Sequence, residues 1–156
     1  MYRISFAGSE EPQRTVPLRV PATRYERKWM SLIEPMCRTQ AAMDDFNRRG
    51  LHMLRERGMP ETFRGIVKRV STRRRVAIML IASASRMRIA VEARNEAMYL
   101  IKESHPKVSS PQIGKWFGRD HTSVLHGIAS HQERHNLPKL VGYDLGKHRE
   151  NYRRAA

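Results

Sequence analysis

Two amphipathic segments separated by a glycine limit the folds that this chain can adopt. The first, SSPQIGKWF (109–117), opens with serines and a proline that suit the start of a helix. The second begins at Asp120, and Val124 and Ile128 form part of its apolar stripe. Gly118 supplies a tight exit from the first segment. A short helix, a glycine turn and a second helix predict a helix-turn-helix.

Polar residues crowd the start of the second segment, in the run Arg119-Asp120-His121-Thr122-Ser123. A surface helix needs one capping side chain there, and Asp120 alone could supply it. In a helix-turn-helix, however, the second helix enters the DNA major groove and its first residues meet base edges. These five residue types present the donors, acceptors and methyl group that distinguish base pairs. The run therefore favours base reading over a merely capped and solvated first turn.

The charge of the chain also points to a polyanionic partner. The 156 residues include 30 Lys and Arg against 15 Asp and Glu, a net charge of +15. Residues 62–156 hold nineteen of these basic residues and only seven of the acidic ones. Such a basic half is typical of nucleic-acid binding. The longest apolar run, VAIMLIA, is far shorter than the ~20 residues that a membrane span needs, so we expect a cytoplasmic protein without a membrane partner.

The remainder of the chain is predicted to be all-α, a helical bundle. Apolar spacing predicts helices over 22–34 and 38–58, further helical segments between 61 and 82, a long helix from about 89 to 103 and a last one from 120 to about 135. We divide the chain into an N-terminal helical extension of unknown function (1–61), a DNA-binding domain (62–137) and a basic C-terminal tail (138–156).

The string IG…F…RDHTSVLH, with AVEARNEAMYLIKE before it, closely resembles the C-terminal DNA-binding domain of DnaA, the bacterial chromosomal replication initiator. The close resemblance covers about residues 89–130, and a weaker one extends back to about 62. It implies sequence-specific binding of double-stranded DNA at DnaA-box-like sites, at the nucleoid in the cytoplasm. The role implied is regulation of replication initiation or of transcription.

The resemblance further implies three kinds of DNA contact. The turn and the starts of both helices match residues that contact DNA in the major groove: Ser110, Pro111, Arg119, Asp120, His121, Thr122 and Ser123. Of these, Ser123 matches a hydroxyl that contacts a phosphate. The polar loop before the long helix matches minor-groove contacts, Arg86 and Arg88. The long helix matches phosphate contacts: Arg94, Asn95 and Lys102. A helical wheel places these last three in one sector, whereas it points His121 towards the apolar stripe, so His121 is chosen by the resemblance alone.

The chain departs from the family pattern in several places. Glu92 stands where a basic residue is more usual, Asn95 replaces a Gln, and Ser110 replaces an apolar residue. These departures affect the preferred DNA sequence rather than the mode of binding. Nothing in the sequence fits the phosphate loop G-x-x-x-x-G-K-[ST] of an ATPase. We therefore expect DNA binding without ATP, without a cofactor and without assembly into an initiator filament.

Other features have simpler interpretations. We expect Trp116 to pack in the core and the run 73–75 to form a solvated charged face. Three histidines, at positions 126, 131 and 135, lack a cysteine or carboxylate set to complete a metal site, and nothing indicates an enzyme. Residues 22–58 are a candidate surface for a protein partner or a homodimer. The alternative function is a basic interaction protein that binds RNA or acidic partners without sequence specificity.

Overall fold

The structure, a computed structural model, describes residues 40–146. In this part of the chain the regular secondary structure is all helix, and there is no strand. It contains α1 (Gln40–Glu56), α2 (Glu61–Arg74), α3 (Ile78–Ala82), α4 (Arg88–Ser104), α5 (Ser110–Phe117) and α6 (His121–His135). The predicted all-α class is confirmed. The helix predicted over 22–34 lies outside the described residues. None of the described helices has the length and apolar character needed to cross a membrane.

A single apolar core joins the helices around α4. The side chains of Val67 in α2, Ile101 in α4 and Ile128 in α6 are fully buried. The alanines of α4 at positions 90, 93 and 97 are fully buried as well. Because these side chains are small, α2 and α6 can both pack closely against α4. The long helix therefore forms the support on which the second helix of the motif is held.

Helix α1 belongs to the same core, although the sequence suggested a boundary after residue 61. Leu54 is fully buried. The side-chain oxygen of Asn47 accepts a hydrogen bond of 2.9 Å from the backbone N–H of Ile78. A Cβ atom on Gly50 would lie 2.3 Å from the backbone nitrogen of Met79 in α3. Since α1 and α3 meet backbone to backbone, we propose that α1 is part of the DNA-binding unit.

The helix-turn-helix consists of α5, a short turn and α6. Ser109 caps α5 by accepting a hydrogen bond of 3.3 Å from the backbone N–H of Gln112. Gly118 ends α5 with φ 62°, in the left-handed region that favours glycine. A Cβ atom on Gly114 would lie 2.4 Å from the carbonyl oxygen of Arg119. The turn can fold back on α5 because both positions lack a side chain.

The first residues of the predicted C-terminal tail are held against α6. The side-chain oxygen of Gln132 in α6 accepts hydrogen bonds from the backbone N–H groups of Leu140 (2.8 Å) and Val141 (3.3 Å). Leu145 is 8% exposed. The start of the tail thus packs against α6, because its apolar residues cover that helix. Residues 147–156 lie outside the described part of the chain.

Candidate nucleic-acid interface

A cleft of about 630 Å³ lies between α4, the start of α6 and the loop before α4. The predicted contact residues that line it are Arg86, Arg88, Arg94, Asn95, Arg119, Asp120, Thr122 and Ser123. His121, Ser110, Pro111 and Lys102 lie outside its lining. The structure therefore brings together the expected minor-groove loop, part of the expected phosphate-binding helix and the start of the second helix, which are up to 37 positions apart in the sequence.

Asp120 caps α6 and organises its first turn. One carboxylate oxygen accepts hydrogen bonds from the backbone N–H of Ser123 (2.6 Å) and from the hydroxyl of Thr122 (2.5 Å). The other accepts one from the hydroxyl of Ser123, at 2.8 Å. These hydrogen bonds, with that from Thr122 as the strongest cause, hold the pKa of Asp120 well below its usual range. The first turn is thus ordered before any partner arrives.

His121 is exposed, as the first residue of α6. The wheel pointed it inward because it assumed that the helix is already wound before this residue. Asp120 instead has the extended backbone angles φ −69° and ψ 160°. At the start of α5, Pro111 is exposed and Ser110 is half-buried. These three residues border the motif from outside the cleft.

Arg94 lies beneath this surface, only 4% exposed. Its guanidinium donates four hydrogen bonds of 2.7–3.1 Å to main-chain carbonyls within residues 80–85. Burial, with smaller effects from the nearby charges of Arg119 and Arg57, lowers the pKa of Arg94 to about 10, so it stays protonated at neutral pH. This arrangement does not agree with a phosphate contact. Arg94 instead fixes the loop that leads to Arg86.

The other two residues expected to bind phosphate differ from each other. Asn95 is half-buried in the wall of the cleft, with its side-chain oxygen 2.6 Å from where a Cβ atom on Gly127 would lie. Lys102 donates hydrogen bonds of 2.7 Å to the carbonyl oxygens of Pro106 and Val108. Its ammonium group therefore supports the loop between α4 and α5, beyond the cleft.

Three polar residues of α6 that the sequence analysis did not select as DNA contacts also line the cleft: His126, Ser130 and Arg134. They follow Thr122 at intervals of four, so they share one face of the helix. This spacing was visible in the sequence and could have identified them. It extends the candidate interface along about three turns of α6.

Arg57, at the end of α1, was also missed. Its guanidinium donates hydrogen bonds to the carbonyl oxygens of Ala82 (2.7 Å) and Trp116 (3.4 Å). Its guanidinium carbon lies 3.1 Å from where a Cβ atom on Gly118 would be. Arg57 thus connects α1 to α3 and to the turn of the motif. Its short-range sequence context gives no sign of these distant partners.

The arginine run at 73–75 has a structural role rather than a purely solvated one. Arg73 and Arg74 both form ion pairs with Glu96, which is 4% exposed. Arg75 ends α2 in the left-handed conformation, with φ 54°. Trp116 packs as expected, 3% exposed and 4.9 Å from the ring of Phe63. Within residues 40–146, no group of three His, Cys, Asp or Glu side chains is arranged to hold a metal ion.

Comparison with known proteins agrees with the helix-turn-helix. Residues 64–130 match the family model of the bacterial DnaA protein helix-turn-helix. The chain is 33% identical over 82 residues to the chromosomal replication initiator protein DnaA of Cereibacter sphaeroides, covering 52% of this chain and 18% of that protein. It is 40% identical over 73 residues to DnaA of Rickettsia canadensis, covering 46% of this chain and 16% of that protein. The chain thus spans less than a fifth of the length of these relatives. No solved structure matches it.

Proposed function

We propose that this chain binds double-stranded DNA sequence-specifically at DnaA-box-like sites, because residues 64–130 match the family model of the bacterial DnaA protein helix-turn-helix. The supporting observation is the cleft, where a basic loop, α4 and the ordered first turn of α6 meet on one side of the molecule. A duplex on this side would be near both the loop that carries Arg86, the predicted minor-groove element, and the start of α6, the predicted major-groove element.

In this proposal α6 lies in the major groove with its first turn against the bases. Asp120, His121 and Thr122 read base edges, and Arg119 lies beside them. Arg86 enters the adjacent minor groove, where a narrow, electronegative groove attracts a guanidinium. Ser123 and the free N–H groups at the start of α6 face phosphate oxygens.

Two residues keep these groups in place rather than contacting DNA themselves. Arg94 holds the loop that carries Arg86 through its four carbonyl contacts. Arg57 holds the turn between α5 and α6. We propose that Lys102 still contributes to phosphate attraction, through its charge near the start of α5.

The cellular role that we propose is control of replication initiation, by occupying initiator boxes, or regulation of transcription at promoters that contain such boxes. The chain would act in the cytoplasm at the nucleoid. Residues 22–58 remain a predicted partner or dimer surface. Because α1 buries Leu54 and Gly50 in the core, the face that it offers to a partner is the opposite one, which carries Arg48 and Arg49. Sedimentation of the chain with and without duplex measures this association.

The deciding experiment compares binding to a DnaA-box duplex and a scrambled duplex at near-physiological salt. Selection of bound duplexes from a random pool then defines the preferred sequence. The His121→Ala or Thr122→Ala variant is expected to lose roughly 1–3 kcal/mol of binding to the box and to relax specificity. His52→Ala, an exposed histidine on α1, is the matched control and should bind as the parent chain does.

The alternative is a basic protein that binds RNA or acidic partners without sequence specificity, and the net charge of +15 favours it. Equal affinities for box, scrambled duplex and RNA would support this alternative and contradict the proposal.

A further inference from the structure

One carboxylate in the cleft pairs with arginines from three helices. Glu92 in α4 accepts a hydrogen bond of 2.8 Å from Arg88, one turn earlier in the same helix. It accepts another of 2.7 Å from Arg134 in α6. Arg74 in α2 lies 3.6 Å from its second oxygen. Glu92 is thus a shared partner for basic side chains that the sequence places up to 60 positions apart.

Glu92 remains charged in this environment. Its partial burial alone would raise its pKa, but the hydrogen bond from Arg88 and the charges of Arg134, Arg88 and Arg74 together lower it. The side chain of Glu92 is 20% exposed, whereas those of Arg88 and Arg134 are 58% and 52% exposed. The two guanidiniums therefore contact the carboxylate and also reach the solvent where a duplex would lie.

A phosphate and Glu92 would compete for the same two guanidiniums. Each guanidinium has five N–H donors and can bind a second anion, but its positive charge is already partly neutralised by the carboxylate. A phosphate that approaches either arginine also approaches the negative charge of Glu92, and the two repel each other. Both effects weaken the attraction of the cleft for any nucleic-acid backbone, whatever its sequence.

We propose that Glu92 limits the affinity of this surface for DNA by neutralising part of the charge of Arg88 and Arg134. This inference rests on the proposed duplex binding and specifies how that binding is regulated. With less backbone attraction, stable binding depends more on the base contacts of α6. Glu92 is a positioning and affinity-limiting residue, and it does not itself contact the bases.

The test is the substitution Glu92→Gln in the full chain, with affinities for box and scrambled duplexes measured over a series of salt concentrations. We expect affinity for both duplexes to rise about threefold to tenfold, and the slope of log affinity against log salt to steepen by about one to two, because Glu92 then no longer neutralises the charges of Arg88 and Arg134. Unchanged or weaker binding with an unchanged slope would overturn the proposal.

Asp44→Asn is the matched control, since it also removes one negative charge, from an exposed residue of α1 whose partner is Gln40. It should change affinity much less than Glu92→Gln. An equal gain in both variants would mean that only net charge matters, and would overturn a specific role for Glu92.

Arg134→Gln gives an independent measurement should Glu92→Gln fail to fold. We expect it to weaken binding to both duplexes, because it removes a phosphate partner and leaves Glu92 less neutralised, and unchanged binding would contradict the proposal. The two proposals fail differently. If the parent chain does not distinguish box from scrambled duplex, the proposed function fails, whereas the effect of Glu92 on affinity is still measured on both duplexes.

Discussion

Gly50→Ala tests whether α1 is part of the folded DNA-binding domain. In an exposed helix this change stabilises a protein by about 0.5–1 kcal/mol, because alanine restricts the unfolded chain and favours the helix. Gly50 is instead buried against α3. An added Cβ would lie 2.3 Å from the nitrogen and 2.8 Å from the Cα of Met79, and 2.5 Å from the carbonyl carbon of Ile78. The structure therefore predicts the opposite sign.

The size of the effect follows from these distances. All three contacts are with backbone atoms, which cannot rotate away as a side chain can, so α1 must move away from α3 by about 1 Å. Overpacking of this kind costs roughly 1–3 kcal/mol, and the helix preference of alanine returns up to about 1 kcal/mol. We expect a net loss of about 1–2 kcal/mol, which corresponds to a decrease in Tm of roughly 4–16 °C for a domain of this size.

Gly65→Ala in α2 is the matched control, because a Cβ there meets nothing within 4 Å. It should raise Tm by a few degrees, as an ordinary helical glycine does. Thermal and urea unfolding followed by far-ultraviolet circular dichroism measure both variants, with equal m-values showing that the same unit unfolds. If Gly50→Ala stabilised the chain as much as Gly65→Ala does, α1 would not be packed on α3 and our placement of it in the domain would be wrong.

Three other variants probe the interior and the cleft. Burial lowers the pKa of His131 to about 4, below the ordinary ~6.5, so the unfolded state binds more protons between these values. The free energy of unfolding should therefore decrease as pH falls from about 6.5 to 4, by about 1–2 kcal/mol, and it should decrease less in His131→Gln. Urea unfolding at each pH measures both chains, and parallel profiles would contradict this prediction. Gly127→Ala should displace the flexible side chain of Asn95 and weaken duplex binding severalfold while Tm changes little, and a large loss of Tm would contradict this. Arg57→Ala should lower the free energy of unfolding by about 1–3 kcal/mol, because a charged donor to two carbonyls is lost, and an unchanged urea midpoint would refute it.

Local features of the motif were predictable from the sequence. Asp120 caps α6, one of the two serines at the start of α5 (Ser109) caps that helix, and Gly118 ends α5 in the left-handed conformation. These features depend on hydrogen bonds and backbone angles within a few residues, and the sequence specifies such short-range interactions directly. The periodic apolar stripes likewise predicted the helices and the all-α class.

Which charged side chains are exposed to solvent, and so to a partner, could not be predicted from the local sequence. Arg94 shares a helical sector with Asn95, yet only the structure shows that its guanidinium turns inward to carbonyls of residues 80–85. Glu92 was recognised as unusual, but two of its three arginine partners, Arg74 and Arg134, come from other helices. A helical wheel gives the direction in which each side chain leaves its own helix. It contains no information about which groups of the neighbouring helices lie in that direction.

The amino-acid sequence by itself therefore determined the helix-turn-helix, its caps and the basic character of the chain, because each depends on residues close together in the sequence or on composition alone. The tertiary structure decided that α1 packs on α3 at Gly50 and which charges face the cleft. Burial and ion pairing depend on side chains and backbone that come together only when distant segments pack, and for this reason they cannot be read from local sequence.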